Sequence, residues 1–138
     1  MSAEQQHKVL SDKPGEKPAA TDVLVVDDDE VQVDEISQFL IRKGLNVATA
    51  SDGLVALDMA QSLKPAVVVL DINLPAMNGD RLSEILRGLD HRTAVIMMSG
   101  HTDLFERVSG EADGFVAAMQ KPVSLKALFE TIDALLAG

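Results

Sequence analysis

The residues with the clearest capacity for chemistry each follow a short apolar run. Four consecutive acidic residues, 27–30, come after the first run, and a further acid, Asp71, comes after the third. The hydroxyl of Ser99 follows the fourth run, and the cation of Lys121 follows the fifth. Carboxylates that are forced together repel one another, so they either hold protons more tightly or recruit a cation.

The chemistry of these groups favours a particular ligand if they share one site. Oxygen ligands with neither cysteine nor a nearby histidine favour Mg²⁺, which keeps several waters and takes a phosphate oxygen. A lysine at the same site would pair with an anion. The residues therefore predict a metal-bound phosphoryl group, with a carboxylate available as its nucleophile.

Apolar patterning predicts the elements that would bring these groups together. Strands are expected at the five apolar runs, residues 23–26, 47–50, 66–70, 93–98 and 116–120. Helices are expected at 31–43, from a cap at Ser51 or Asp52 to just before Pro65, around 81–86, near 103–108, and after a cap at Ser124.

Three of these helices carry apolar residues at helical spacing. Those residues are Val33, Ile36, Phe39 and Leu40 in the first helix, Leu54, Leu57 and Leu63 in the second, and Leu125, Leu128, Ile132, Leu135 and Leu136 in the last. Alternating strands and helices predict an open parallel sheet with helices on both faces. Ligands of such sheets bind beyond the carboxyl ends of the strands, where the acids, the hydroxyl and the lysine are expected to meet.

The composition of the chain argues against several classes of protein. The 138 residues include 22 acids and 12 bases, with a formal net charge of −10, 46% apolar residues and no Cys, Trp or Tyr. A core without disulfides or structural zinc is expected. A nucleic-acid partner is disfavoured because phosphate contacts need clustered Lys and Arg. No apolar run is long enough for a membrane helix, and no signal segment is present, so we expect a cytoplasmic protein.

Residues 1–20 differ in composition from the rest of the chain. They contain Pro14, Gly15 and Pro18, balanced charges and few apolar side chains, which is typical of a flexible tail. Residues 21–138 are then a single predicted domain.

Four stretches of this domain resemble the receiver domain of bacterial response regulators, the CheY-like phosphoacceptor of two-component signalling. These stretches are residues 23–30, 69–79, 98–100 and 120–122. Each is a weak signal alone, but four in the right order, each at a predicted strand end, are specific. The resemblance spans 22–138 and implies a flavodoxin-like (βα)5 fold with strand order 2-1-3-4-5.

The resemblance also implies a role for each acidic residue of the site. Asp71 would be the phosphoacceptor, receiving its phosphoryl group from a phosphohistidine. Asp27 and Asp28 would hold Mg²⁺, Asp28 more directly, with Asp71 and the backbone carbonyl of Asn73 as further ligands. Asp29 and Glu30 are interpreted as charges of the first helical turn rather than as ligands.

Ser99 and Lys121 complete the implied phosphorylation site. Ser99 would hydrogen-bond the phosphoryl group, and Lys121 would pair with one of its oxygens. Pro122 would carry a cis peptide, which is inexpensive only before proline. Each of these residues also has a structural explanation, since a serine can begin a loop and a lysine can be a solvated charge.

The rim of the implied site contains two further candidates. His101 lies two residues after Ser99, and Asn73 lies two after Asp71. We hypothesise that both modulate phosphoryl lifetime by controlling the access of attacking water. Gly100 is interpreted as leaving space for the phosphodonor.

One position departs from the family pattern. Receivers usually carry Tyr or Phe three residues before the lysine, and this switch aromatic reports phosphorylation, but here the position is Ala118. Phe115 is a possible substitute, displaced three residues early, or simply a core residue. We therefore expect an irregular fourth helix and a weakened or rerouted coupling between Ser99 and the aromatic.

The implied partners are a sensor histidine kinase or histidine phosphotransferase and a downstream protein. A homodimer through the fourth helix, fifth strand and fifth helix is a further possibility.

The chain ends after the last helix, so we expect no output domain and interpret it as a single-domain regulator, with a fragment as the alternative. Two alternative functions are a pseudo-receiver scaffold that is never phosphorylated and a Mg²⁺-dependent phosphohydrolase. The phosphohydrolase is disfavoured because Asn73 stands where such enzymes commonly place the acid that protonates a leaving group.

Overall fold

The computed structural model describes residues 20–73, 88–90, 92–100 and 116–138. Five strands and three helices lie within these ranges. In chain order they are β1 (Val23–Val26), α1 (Glu30–Arg42), β2 (Val47–Ala50), α2 (Gly53–Leu63), β3 (Val67–Asp71), β4 (Ala94–Ser99), β5 (Ala117–Gln120) and α3 (Leu125–Ala137).

The five strands form one parallel sheet in the order β2-β1-β3-β4-β5, as predicted. Every residue of β1 and β3 is buried, which explains why these strands are continuous apolar runs rather than alternating ones. The central strand β3 pairs with β1 from Val67↔Val23 onward and with β4 from Val67↔Ala94 onward. The carboxyl ends of these strands therefore meet at one edge.

Helices cover both faces of the sheet. On one face, α1 and α3 bury Ile36, Leu40, Leu128 and Ile132 against alternate strand residues. On the other face, α2 buries small residues and one methionine, namely Gly53, Ala56, Met59 and Ala60. The two cores fix the sheet between the helices.

Side-chain caps set the starts of the helices. The Asp29 carboxylate caps α1 by accepting hydrogen bonds from the backbone N–H groups of residues 31 and 32, at 3.0 and 3.2 Å. Asp52, rather than Ser51, caps α2 and accepts from Val55 N–H at 2.8 Å. Ser124 caps α3 as predicted. Each cap satisfies backbone donors that the first helical turn leaves unpaired.

The apolar face predicted for α2 was wrong at Leu54, whose side chain is 57% exposed. Small residues at positions 53, 56 and 60 let the helix approach the sheet closely, so the buried face is centred on them. Two strands also extend one residue beyond their predicted ends. As a result, Asp71 is the last residue of β3 and Ser99 is the last of β4.

Several predicted features lie outside the described residues. They are nearly all of the tail predicted at 1–20, the helices predicted around 81–86 and near 103–108, and the side chains of His101 and Phe115. Among the helices of the described ranges, none is long and apolar enough to cross a membrane.

Candidate functional site

Four side chains lie together at the carboxyl edge of the sheet. Asp27 directly follows β1, Asp71 ends β3, Ser99 ends β4 and Lys121 directly follows β5. Both aspartates and the serine are buried. The parallel register brings these residues together, because parallel strands of similar length have their carboxyl ends along the same edge of the sheet.

Three carboxylates at this edge form a cluster that could hold a metal ion. Asp27, Asp28 and Asp71 each offer one oxygen, and these oxygens lie within 4.8 Å of one another. Asp28 is exposed, whereas the other two are buried. A cluster of carboxylate oxygens with one open side suits Mg²⁺, which takes few protein ligands and retains waters. The donor set therefore fits the predicted cation.

Lys121 connects two of these carboxylates. Its Nζ lies 3.0 Å from Asp27 Oδ2 and 3.0 Å from Asp71 Oδ2. The lysine backbone N–H also donates to the carbonyl of Ser99 at 2.8 Å, which extends the alignment of β4 and β5. The peptide bond from Lys121 to Pro122 is cis, as predicted. One cation thus partly neutralises two buried acids.

The surroundings shift the pKa values of both Asp71 and Lys121. Burial raises the pKa of Asp71 above its ordinary value of 3.8, and the charge of Asp27 raises it further, although the N–H of Asn73 and the ammonium of Lys121 oppose this. Burial lowers the pKa of Lys121, but its hydrogen bonds to the two aspartates outweigh this effect and leave the pKa above 10.5. The ammonium is therefore charged at neutral pH.

Backbone hydrogen bonds orient the two buried carboxylates. Asp71 Oδ1 accepts from the N–H of Asn73 at 2.9 Å, and Asp27 Oδ1 accepts from the N–H of Asp29 at 3.0 Å. Each is an aspartate binding the backbone two residues ahead, as in an Asx-turn. In both residues the second oxygen, Oδ2, accepts a hydrogen bond from the Lys121 ammonium. Each carboxylate is therefore held in one orientation by hydrogen bonds to both of its oxygens.

A contact that is not predicted from the sequence joins the loops after β3 and β4. The N–H of Gly100 donates to Asn73 Oδ1 at 2.6 Å. The sequence predicts Asn73 as a rim residue and Gly100 as a source of space, but it does not predict them as partners. Their positions just beyond neighbouring strand ends are the signal that could have paired them.

The space around Gly100 does not itself demand glycine. A Cβ built there would lie 3.8 Å from Asn73 Oδ1 and 3.9 Å from Lys121 Cδ, both ordinary contacts. The alanine at the switch-aromatic position, Ala118, is half-buried and packs against the core on the α2 side of the sheet. Phe115, the possible substitute for the missing aromatic, falls outside the described residues, as does His101.

Comparisons with known proteins agree on one family. The family model described as "Response regulator receiver domain" matches residues 23–133. The transcriptional regulatory protein PrrA of Mycobacterium tuberculosis is 37% identical over 114 residues, which are 83% of this chain and 49% of PrrA. The alkaline phosphatase synthesis transcriptional regulatory protein PhoP of Bacillus subtilis is 35% identical over 114 residues, 83% of this chain and 48% of PhoP.

The fold of a solved receiver matches as well. The crystal structure of a CheY-like response regulator receiver domain protein from Methanospirillum hungatei JF-1 superposes with a TM-score of 0.75 and 28% identity. The match covers 86% of this chain and 95% of that one.

This chain spans about half the length of the curated relatives that it matches. The family model covers most of the sequence, and the strand order and helix placement are those of the flavodoxin-like fold. The chain belongs to the response regulator receiver domain family.

Proposed function

We propose that this chain is a Mg²⁺-dependent phosphoacceptor of a two-component system or phosphorelay, and that Asp71 receives the phosphoryl group. The observation that carries the proposal is the pairing of Lys121 with the buried Asp27 and Asp71, both at 3.0 Å, in a cluster of three carboxylates that the exposed Asp28 completes. Such a cluster is suited to bind a cation and, beside it, an anion.

The order of the strands favours Asp71 as the acceptor. Its strand, β3, lies between β1, which leads to Asp27 and Asp28, and β4, which ends in Ser99. A group on Asp71 would therefore have the acidic metal site on one side and the hydroxyl on the other. Lys121 already contacts Asp71 Oδ2 and would pair with a phosphoryl oxygen there.

Asp27, Asp28 and Asp71, with the backbone carbonyl of Asn73, would hold Mg²⁺. The bound ion would offset the negative charge that accumulates when a phosphoryl group approaches three carboxylates. Ser99 would donate its hydroxyl proton to a phosphoryl oxygen. His101 and Asn73 would modulate water access at the rim.

In the transfer, the bond between phosphorus and the histidine nitrogen of the donor breaks, and a bond between phosphorus and an Asp71 carboxylate oxygen forms. The donor nitrogen keeps the electron pair. The acyl phosphate loses the single negative charge of the Asp71 carboxylate and carries about 1.5 to 2 negative charges on its phosphoryl oxygens, a net gain of about 0.5 to 1. This added charge at the edge of the sheet would bias a protein-interaction surface between two states. The implied donors are a sensor histidine kinase or histidine phosphotransferase, acting in the cytoplasm on residues 21–138 as one domain.

Incubation with acetyl phosphate and Mg²⁺, followed by intact-mass measurement, tests this proposal. We expect the wild-type chain to gain one phosphoryl group and Asp71→Asn to gain none, because an amide cannot accept phosphorus. Omission of Mg²⁺, or Asp28→Asn, should sharply reduce labelling. Absence of labelling in the wild type would favour a scaffold without phosphorylation, and steady turnover of small phosphoesters would favour a phosphohydrolase.

A further inference from the structure

The contact between Asn73 and Gly100 links the two loops that flank the acceptor. Asn73 Oδ1 accepts from the Gly100 N–H at 2.6 Å, across 27 residues of sequence. Asn73 lies two residues after Asp71 and Gly100 lies one after Ser99, so the bond connects the ends of neighbouring strands β3 and β4.

The same bond lies beside the acceptor carboxylate. The backbone N–H of Asn73 donates to Asp71 Oδ1 at 2.9 Å, which places the asparagine directly against the acid. On the other side, a Cβ at Gly100 would lie 3.9 Å from Lys121 Cδ, and the ammonium of that lysine contacts Asp71 Oδ2. Gly100 therefore neighbours both residues that contact the Asp71 carboxylate, Asn73 at Oδ1 and Lys121 at Oδ2.

We propose that the Asn73 carboxamide is a positioning residue that occupies the Gly100 N–H until a phosphoryl group forms on Asp71 and takes over this donor. The proposal rests on the proposed function. A phosphoryl oxygen is a charged acceptor and binds an N–H more strongly than a neutral amide oxygen does, so the exchange is favourable. The exchange nevertheless requires the bond between Asn73 and Gly100 to break.

The size of the effect follows from the value of one hydrogen bond. A typical intramolecular hydrogen bond contributes about 1 kcal/mol net, which corresponds to roughly a fivefold change in an equilibrium constant. Removal of the competing acceptor should therefore tighten binding of a phosphoryl mimic about fivefold. A residue that merely stabilised the loop would not tighten binding when removed.

The test uses the full 138-residue chain and beryllium trifluoride with Mg²⁺, which mimics a phosphoryl group on a carboxylate. Amide spectra of ¹⁵N-labelled wild type and Asn73→Ala would report two quantities: hydrogen exchange at Gly100 before the mimic is added, and the beryllium concentration at half-conversion. Asn46→Ala is the matched control, because its carboxamide Nδ2 donates to the Ala20 carbonyl, beyond the amino end of β1.

We expect Asn73→Ala to speed exchange at Gly100 and to lower the half-conversion concentration about fivefold, with both quantities unchanged in Asn46→Ala. Faster exchange with unchanged or weaker binding of the mimic would overturn the competition. Unchanged exchange at Gly100 would show that the bond does not protect this N–H, and would also overturn it. Asn73→Ser, whose hydroxyl is too short to reach Gly100, repeats the test if the alanine variant does not fold.

Failure of the proposed function gives a different result. In that case the wild-type chain itself would not bind beryllium trifluoride, and the role of Asn73 would fall with it. If the wild type binds but the ratio between variant and wild type is one, only the role of Asn73 is wrong.

Discussion

Lys121 and Asp71 form an ion pair of 3.0 Å between Nζ and Oδ2, although their strands, β5 and β3, are separated by β4. The lysine side chain crosses the end of β4 to reach the acid, and its Nζ also contacts Asp27. The acid cluster therefore has an internal cation before any metal or phosphoryl group binds. Both ligands must compete with, or recruit, this ammonium.

The Lys121 ammonium and Mg²⁺ compete for the same carboxylates, and this competition predicts the effect of removing the lysine charge. Lys121→Met retains most of the side-chain volume but leaves three clustered carboxylates without their positive partner. Because the unneutralised charge attracts a divalent ion more strongly, we expect the variant to bind Mg²⁺ about tenfold more tightly, a change of roughly 1.4 kcal/mol. Isothermal titration calorimetry with Mg²⁺ measures this.

Lys126→Met is the matched control, because Lys126 is an exposed lysine of α3. Its Mg²⁺ affinity should equal that of the wild type. Equal or weaker Mg²⁺ binding by Lys121→Met would mean that the ammonium does not oppose the metal.

The pKa of Asp71 predicts a dependence of stability on pH. Burial first, and then the charge of Asp27, raises this pKa above 3.8 in the folded chain, so folding favours the protonated acid. Its contribution to stability is thus present below pH 3.8 and is lost as the pH rises through the folded pKa. Asp71→Asn, which imitates the neutral acid, should be about as stable as the wild type at the acidic end and more stable at neutral pH.

Urea unfolding followed by far-ultraviolet circular dichroism, with EDTA present, measures this difference across the pH range. Asp133→Asn, on the exposed face of α3, controls for the loss of one negative charge. A wild type that is more stable than Asp71→Asn at neutral pH would contradict the assigned direction of the pKa.

The position of the buried helix faces predicts unequal effects for two leucines. Leu128→Ala removes a fully buried side chain of α3 from the sheet and should lower the free energy of unfolding by about 2–5 kcal/mol. Leu54→Ala, at a position 57% exposed, should change it by no more than about 0.5 kcal/mol. Chemical denaturation measures both, and a large loss at Leu54 would restore the helix face predicted from spacing.

The end of α1 provides a further stability prediction. Lys43 Nζ lies 5.4 Å from the ring centroids of both Phe39 and Phe129, and so joins α1 to α3. Lys43→Met keeps the apolar stem and removes the cation, which should cost about 1 kcal/mol. Denaturation of this variant beside Lys126→Met measures the difference, and equal stability of the two would show that the rings do not bind the ammonium.

The sheet could be predicted well because a strand that is buried on both faces is a continuous apolar run in the sequence. Val23–Val26 and Val47–Ala50 were bounded correctly, since an apolar run ends where a doubly covered strand ends. The face of α2 could not be predicted from leucine spacing alone. Small residues such as Ala56 and Ala60 permit the closest approach to the sheet, and periodicity does not rank them above leucine.

The site was predictable as a set of residues but not as a set of contacts. Strand ends placed Asp27, Asp71 and Lys121 at one edge, and the structure brings them together there. Which carboxylate the lysine reaches depends on side-chain conformation, so its simultaneous contact with both acids was not foreseen. The bond between Asn73 and Gly100 was missed for the same reason, because it joins a side chain to a backbone group of another loop.

The most direct test of the central claim is the chemical location of the phosphoryl group. Borohydride reduces an aspartyl phosphate to homoserine, so peptide mass spectrometry after treatment with acetyl phosphate, Mg²⁺ and borohydride identifies the acceptor. We predict homoserine at position 71 and none at 27 or 28. Homoserine at either of those positions, or at none of the three in a chain that has gained a phosphoryl group, would contradict the assignment of Asp71.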